Sequence, residues 1–556
     1  MDVKSVRAER SARVPRLRSA SRSYARDGRN SGAKSRHRGS RSAIGPLALV
    51  LLAACSRPPA PPAGIGRRVA TGVAGALRPS PDGATLAFLD RCARPPVPDL
   101  PPSVSSCDLE VVPAAGGAQR RVAEGVTTLP GGLAWSGSGA LLAALADHDY
   151  ATGGGTLVLA TAAGEARRLA PGVTFYGFAP GRDTLVFVAR GRLMLLEQGA
   201  AEPRAVPGGE GVATFELAPA ALVAAGRPAG FLLAARRNGA AGGDLLVLSD
   251  WKGAAARVAA GTGDYGFAPD GRLAFTARGR EGYDLMLLSG ARQRARALGQ
   301  DVQGFAFSRD GSGLAFLSGG GPGTPGDLLA AQGDGRAARM GTRVGEYRWS
   351  PQGTLLAWLQ EFDPRIRAGT LAVGGPGQRT RELGRNVTAW AFSPDGGRIA
   401  FLEHATAGGY SVDLKLADLG AEGKPEVVAR GVFGFDFSPE GHHLYYRAGC
   451  MRNAEACDLQ VLPAAGLPPG KVAETIAGGV KSFEFDRWTP GRLLVTWARR
   501  DMVALDLAVW DGRRLVSVDT AALPGSAQLL PPDGRRVTYA VIDPKRAGVY
   551  VAEVGK

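Results

Sequence analysis

A short phrase recurs along the chain, and its spacing constrains the fold more than any other feature. The clearest copies are Phe392-Ser393-Pro394-Asp395-Gly396, Phe437-Ser438-Pro439-Glu440-Gly441, Phe267-Ala268-Pro269-Asp270-Gly271, Phe307-Ser308-Arg309-Asp310-Gly311 and Trp349-Ser350-Pro351-Gln352-Gly353. Weaker copies stand at Pro81-Asp82-Gly83, Trp135-Ser136-Gly137-Ser138-Gly139, Phe178-Ala179-Pro180 and Pro532-Asp533-Gly534, with degenerate ones near Pro219 and between Phe485 and Pro490. The mean period is about 45 residues, the length of four short strands and their turns. In each copy Pro presets φ and Gly supplies a positive φ, so the phrase reads as a turn between two strands. An alternating aromatic strand such as Phe435-Asp436-Phe437 precedes it, and an apolar run such as Ile399-Ala400-Phe401-Leu402 follows.

Runs that are apolar on both faces suit sheets stacked against neighbours on either side. The fold expected is therefore all-β: a β-propeller of about eleven four-stranded repeats. With 80 Gly and 38 Pro in 556 residues, a helical bundle or long coiled coil is excluded. Single rings usually hold four to eight blades. The first expectation is accordingly two consecutive propellers, over residues 66–314 and 315–556, dividing somewhere within 294–335. One oversized ring, or one ring with degenerate extra blades, is the alternative. Arg67-Arg68-Val69-Ala70 matches the fourth-strand segment Arg120-Arg121-Val122-Ala123, and the final Gly548–Glu553 run reads as a third strand. The first strand is thus expected to complete the last blade and remove an open edge. The repeat resembles the TolB-like propeller repeat, a bacterial relative in architecture of WD-repeat blades, over roughly residues 66–556. That resemblance implies a fold and little about function.

Residues 1–54 read as an address. Of the net charge of +16, +10 falls within residues 1–45, leaving +6 for the other 511 residues. So weak a balance excludes a basic footprint for nucleic acid. After the basic flank comes Ile44-Gly45-Pro46-Leu47-Ala48-Leu49-Val50-Leu51-Leu52-Ala53-Ala54-Cys55, an apolar stretch too short to span a bilayer, ending in small residues. Leu52-Ala53-Ala54-Cys55 resembles the bacterial lipobox. The resemblance implies lipidation of Cys55, cleavage before it, and, with Ser56 next, sorting to the outer membrane. Residues 55–65, rich in Pro and Ala, form an extended tether.

Four further cysteines fall as two close pairs, Cys92 with Cys107 and Cys450 with Cys457, each between two apolar strands. Neither pair has zinc-ligand spacing or nearby His partners, so structural disulfides across a hairpin are expected, as export to an oxidising compartment permits.

Few residues suggest catalysis. The sequence has no Gly-x-Ser-x-Gly elbow and no P-loop, and Gly319-Gly320-Gly321-Pro322-Gly323 reads as a hairpin tip. Asp147-His148-Asp149 is the one metal-like cluster and reads as a solvated loop. Asp82, Asp270, Asp310, Asp395 and Asp533 read as turn residues, and Tyr445-Tyr446 as blade core. No catalytic residue, metal or cofactor is expected. The expected role is a lipid-anchored scaffold of the bacterial envelope that binds another envelope protein or a polymer. A small-ligand, glycan or enzyme function in the central channel is the alternative: convergent polar groups at one channel mouth would favour it, and a dry, apolar channel would favour the scaffold.

Overall fold

The computed structural model describes residues 65–555, apart from residues 74, 98–99, 102, 220–230, 238–241, 281, 291–292, 322, 334, 405–411, 451–455, 467–471, 487–490 and 499–503. Cys55, the leader and all of the tether before Ile65 lie outside the described residues.

The described residues are all-β, and every strand pair is antiparallel. Blade one shows the unit: Leu77–Pro79, Thr85–Ala93, Ser106–Pro113 and Arg120–Thr127, each paired to the next. Among the described residues, the same four-strand order follows in blades two (133–171), three (173–210), four (212–261), five (262–299) and six (302–344). It continues in blades seven (346–386), eight (387–430), nine (432–480), ten (482–522) and eleven (528–553). In several places one kinked strand, such as Arg381–Phe392, ends one blade and begins the next.

The sequence explains which strand lies where. Second and third strands bury both faces: Ile399, Ala400 and Phe401 are fully buried in succession. Fourth strands expose arginines, such as Arg120, Arg121, Arg167 and Arg168, and form the outer rim. First strands are aromatic and half-buried, and line the axis.

The phrase at each turn is a small hydrogen-bonded device. Ser393 is buried; its hydroxyl donates to Asp395 and accepts the Arg398 N–H at 2.9 Å, while Asp395 accepts the Gly397 N–H at 3.1 Å. Asp82, Asp270, Asp310 and Asp533 accept the same N–H two residues on, at 3.0 to 3.1 Å. The repeated aspartates are therefore turn residues, as the sequence suggests.

Strand Arg67–Thr71 pairs with Gly548–Glu553, Arg67 opposite Val551, and so supplies the fourth strand of blade eleven. Apolar clusters join neighbouring blades without a break. Leu285 and Leu287 of blade five pack on Leu314 and Phe316 of blade six, and Ala315 and Leu328 of blade six on Leu356 and Trp358 of blade seven. Leu86, Phe88 and Val112 of blade one meet Leu530, Val549 and Val551 of blade eleven. No break in this packing falls within the expected division at 294–335: blade five packs on six, six on seven, and blade eleven on blade one. Blade faces are apolar on both sides everywhere, so the repeat alone permits either closure; the pairing and packing of the terminal blades decide it.

Candidate functional site on the inner wall

Two directions are built into the aromatic first strands. Their aromatic residues look back to the preceding blade: the Tyr176 hydroxyl donates to the Ala143 carbonyl at 3.2 Å, Tyr347 to Ala315 at 3.2 Å, and the Trp349 indole N–H to Ala306 at 3.1 Å. The residue between two inward-packed apolar ones faces forward, as where Glu216, between Phe215 and Leu217, accepts the Phe267 N–H of the next blade. This middle position is small at Ala134, Gly177, Gly266, Ala306 and Ala391, and charged at Arg78, Glu216, Arg348, Asp436 and Glu484.

Blades seven to nine bring two of these charges together, Arg348 and Asp436. The Arg348 guanidinium lies 5.0 Å over the Trp390 ring, so the cation rests on the face of the indole. Trp390 is buried, and its Nε1 has no hydrogen-bond partner. Burial lowers the Arg348 pKa, while Glu346 and Asp436 act to raise it. Burial pushes the Asp436 carboxyl up to about 6, against the Phe437 N–H and Arg348, which favour its ionised form. The guanidinium on the indole and the carboxyl titrating near neutrality make a binding surface for a polar group. No nucleophile stands within this set. Sequence reasoning missed it; the available signal was a charged residue between two aromatics in the recurring phrase.

A second feature lies on the ring face that carries the second-to-third-strand hairpins. The joint between a fourth strand and the next first strand needs a positive φ, supplied by glycine at Gly172 and Gly431. At three consecutive joints Asp301 (φ 50°), Arg343 (φ 48°) and Asn386 (φ 52°) take that conformation instead. Glu361 and Arg367 share it in the blade-seven hairpin; Arg343 pairs with Glu361 at 3.3 Å, and Arg367 with Glu346. Non-glycine residues hold this backbone at a cost of about 1–3 kcal/mol each, and such strain gathers at functional sites.

Both cysteine pairs are disulfide-bonded, Cys92 to Cys107 and Cys450 to Cys457, on that same face. Asp147 and Asp149 are exposed and His148 is half-buried, and all three line an open cavity. Among the described residues no group of three His, Cys, Asp or Glu is placed to hold a metal, and no helix is long and apolar enough to cross a membrane.

No family model matches the sequence, and no curated protein matches it. Solved structures similar to the chain include TolB from Acinetobacter baumannii, 17% identical over 41% of this chain and 58% of that one, with a TM-score of 0.23. Tricorn protease is 10% identical over 87% of this chain and 59% of that one, with a TM-score of 0.31. A eukaryotic initiation factor is 14% identical over 62% of this chain and 87% of that one, at 0.36. The fold stands on the strand pairing itself.

Proposed function

We propose that the chain is a non-enzymatic binding scaffold of the bacterial cell envelope, lipid-anchored at Cys55, that receives a segment of another envelope protein on the inner wall of blades seven to nine. The observation carrying this reading is the convergence of Arg348, Trp390 and Asp436 from three successive blades. The positive-φ joints at Arg343 and Asn386, which flank blade seven, support it, because they place polar side chains where other joints use glycine. The lipobox resemblance and the disulfides support the envelope location.

The test places a photo-cross-linking residue at Ala391, between Arg348 and Asp436, and a second at the rim residue Arg167, in cells. A product from position 391 that disappears with Arg348→Ala is expected, with none from position 167. Equal products from both positions, or none from 391, would overturn the inner-wall reading. Fractionation of the Cys55→Ser variant tests the anchor separately: the wild type should follow the outer membrane and the variant should not.

The same convergence favours a second reading, a small polar ligand in the channel. Native mass spectrometry of the purified chain would then show a bound small molecule that Arg348→Ala releases.

A further inference from the structure

The Cys92–Cys107 disulfide closes a loop that leaves blade one and forms one wall of a cavity of about 320 Å³. Pro95, Pro96 and Val97 make that wall; the blade-two hairpin, with Asp147, His148 and Tyr150, makes the other. Thr128 braces the loop from outside it, accepting the Ser105 N–H at 2.8 Å and donating to the Ser103 carbonyl at 3.0 Å. The volume lies at the lower end of small-molecule sites, which run to about 300–1,000 Å³.

The polar groups indicate which ligand fits. His148 and Tyr150 stand edge to face, their ring centroids 4.8 Å apart. His148 Nδ1 and the Tyr150 hydroxyl are both buried and without a hydrogen-bond partner, an arrangement expensive to keep unless something supplies the missing bonds. The charged neighbours are already engaged. Asp147 pairs with Arg168 at 2.6 Å, and Asp149 accepts the Ala151 N–H and the Thr152 hydroxyl. Burial lowers the His148 pKa and keeps the ring neutral at neutral pH, with Asp149 acting weakly the other way. The cavity therefore offers two neutral hydrogen-bonding atoms between a proline wall and an aromatic wall. An anion would find no free positive charge there, and the Asp149 carboxylate is taken up by the Ala151 N–H and the Thr152 hydroxyl, whereas a pyranose ring presents hydroxyls at its edge and C–H groups on its faces.

We propose that this cavity binds one hexopyranose unit of a glycan, with its hydroxyls on His148 Nδ1 and the Tyr150 hydroxyl and its ring between Pro96 and Tyr150. The site is separate from the inner wall and needs no part of the scaffold reading.

Saturation-transfer NMR on the oxidised full chain tests it, with the methyl glycosides of glucose, galactose, mannose and N-acetylglucosamine as probes. Transfer to at least one glycoside is expected. Tyr150→Phe should weaken that binding about tenfold, the worth of one buried hydrogen bond. Pro96→Arg, an exposed change that fills the cavity from the loop side, should abolish it while the melting temperature holds. Failure of all four glycosides would overturn the proposal, as would transfer that both variants leave unchanged. Displacement of a bound glycoside by millimolar methylammonium or acetate would equally overturn it, since the site would then be ionic.

Discussion

The serine of the recurring phrase shows how much structure one small side chain can specify. Ser393 is buried and bonded at both its donor and its acceptor, and Ser80, Ser308 and Ser438 are buried in the same place. Ser393→Ala strips the Arg398 N–H and the Asp395 carboxylate of a partner, and should lower unfolding free energy by about 1–2 kcal/mol in urea titration. Asp436 behaves in the opposite sense to the turn aspartates. Its pKa is raised from 3.8 to about 6, so the folded chain holds that proton more tightly than the unfolded one. The associated stability is complete below pH 4 and is lost as pH rises through 6. Asp436→Asn should therefore stabilise the protein by about 2 kcal/mol at pH 7.5, a difference that shrinks towards zero at pH 4 in paired denaturation curves. The turn aspartates Asp82 and Asp395 are lowered, chiefly by their serine hydroxyls, and lose their contribution as pH falls below the usual carboxylate range.

At the scale of strands and hairpins, the joints separate conformation from function. Arg343 holds a positive φ where other joints use glycine. Arg343→Gly should leave stability unchanged or raise it by up to about 1 kcal/mol, while removing the ion pair to Glu361 and weakening cross-linking from position 391. A fall of several kcal/mol instead would show that the arginine serves the fold. The hairpin disulfides are also elements in this sense. Cys92 and Cys107 are 15 residues apart, and replacing both with serine should cost about 3 kcal/mol in thermal or urea unfolding. Those pairs were legible because apolar strands flank them. The middle-position charges were not, because one Arg or Asp between two aromatics looks like an ordinary strand until the stacking of blades places it beside its neighbours. The cavity residues Pro95 and Tyr150 lie 55 positions apart, with nothing in the local sequence to link them.

For the whole molecule, the repeat conveyed the blade and the matching end segments conveyed the closure, but the number of rings was not legible. Every blade presents two apolar faces, so only the identity of the neighbours distinguishes one ring from two. A buried network secures the last joint. Asp519 is fully buried, pairs with Arg546, accepts the Tyr539 hydroxyl at 3.1 Å and takes the N–H groups of Thr520 and Ala521. Tyr539 in turn fills the space beside Gly66, where a Cβ would fall 2.2 Å from its hydroxyl. Asp519→Ala leaves the guanidinium and the phenol without their acceptor and should cost about 3–5 kcal/mol. Hydrogen exchange should show the loss first in residues 67–71 and 548–553. An unaltered exchange pattern there would mean that the network does not hold the ring shut.

The pairing of Arg67 with Val551 also sets an order of events for synthesis. The first strand of the ring to leave the ribosome is the last to find its partner, after ten blades have been made and stacked. Until then blade one shows an uncovered apolar face and blade eleven an unpaired edge, the surfaces most open to aggregation and to capture by chaperones. The chain is a clasp threaded before the necklace is strung, and its slowest folding step should be the closing of that clasp.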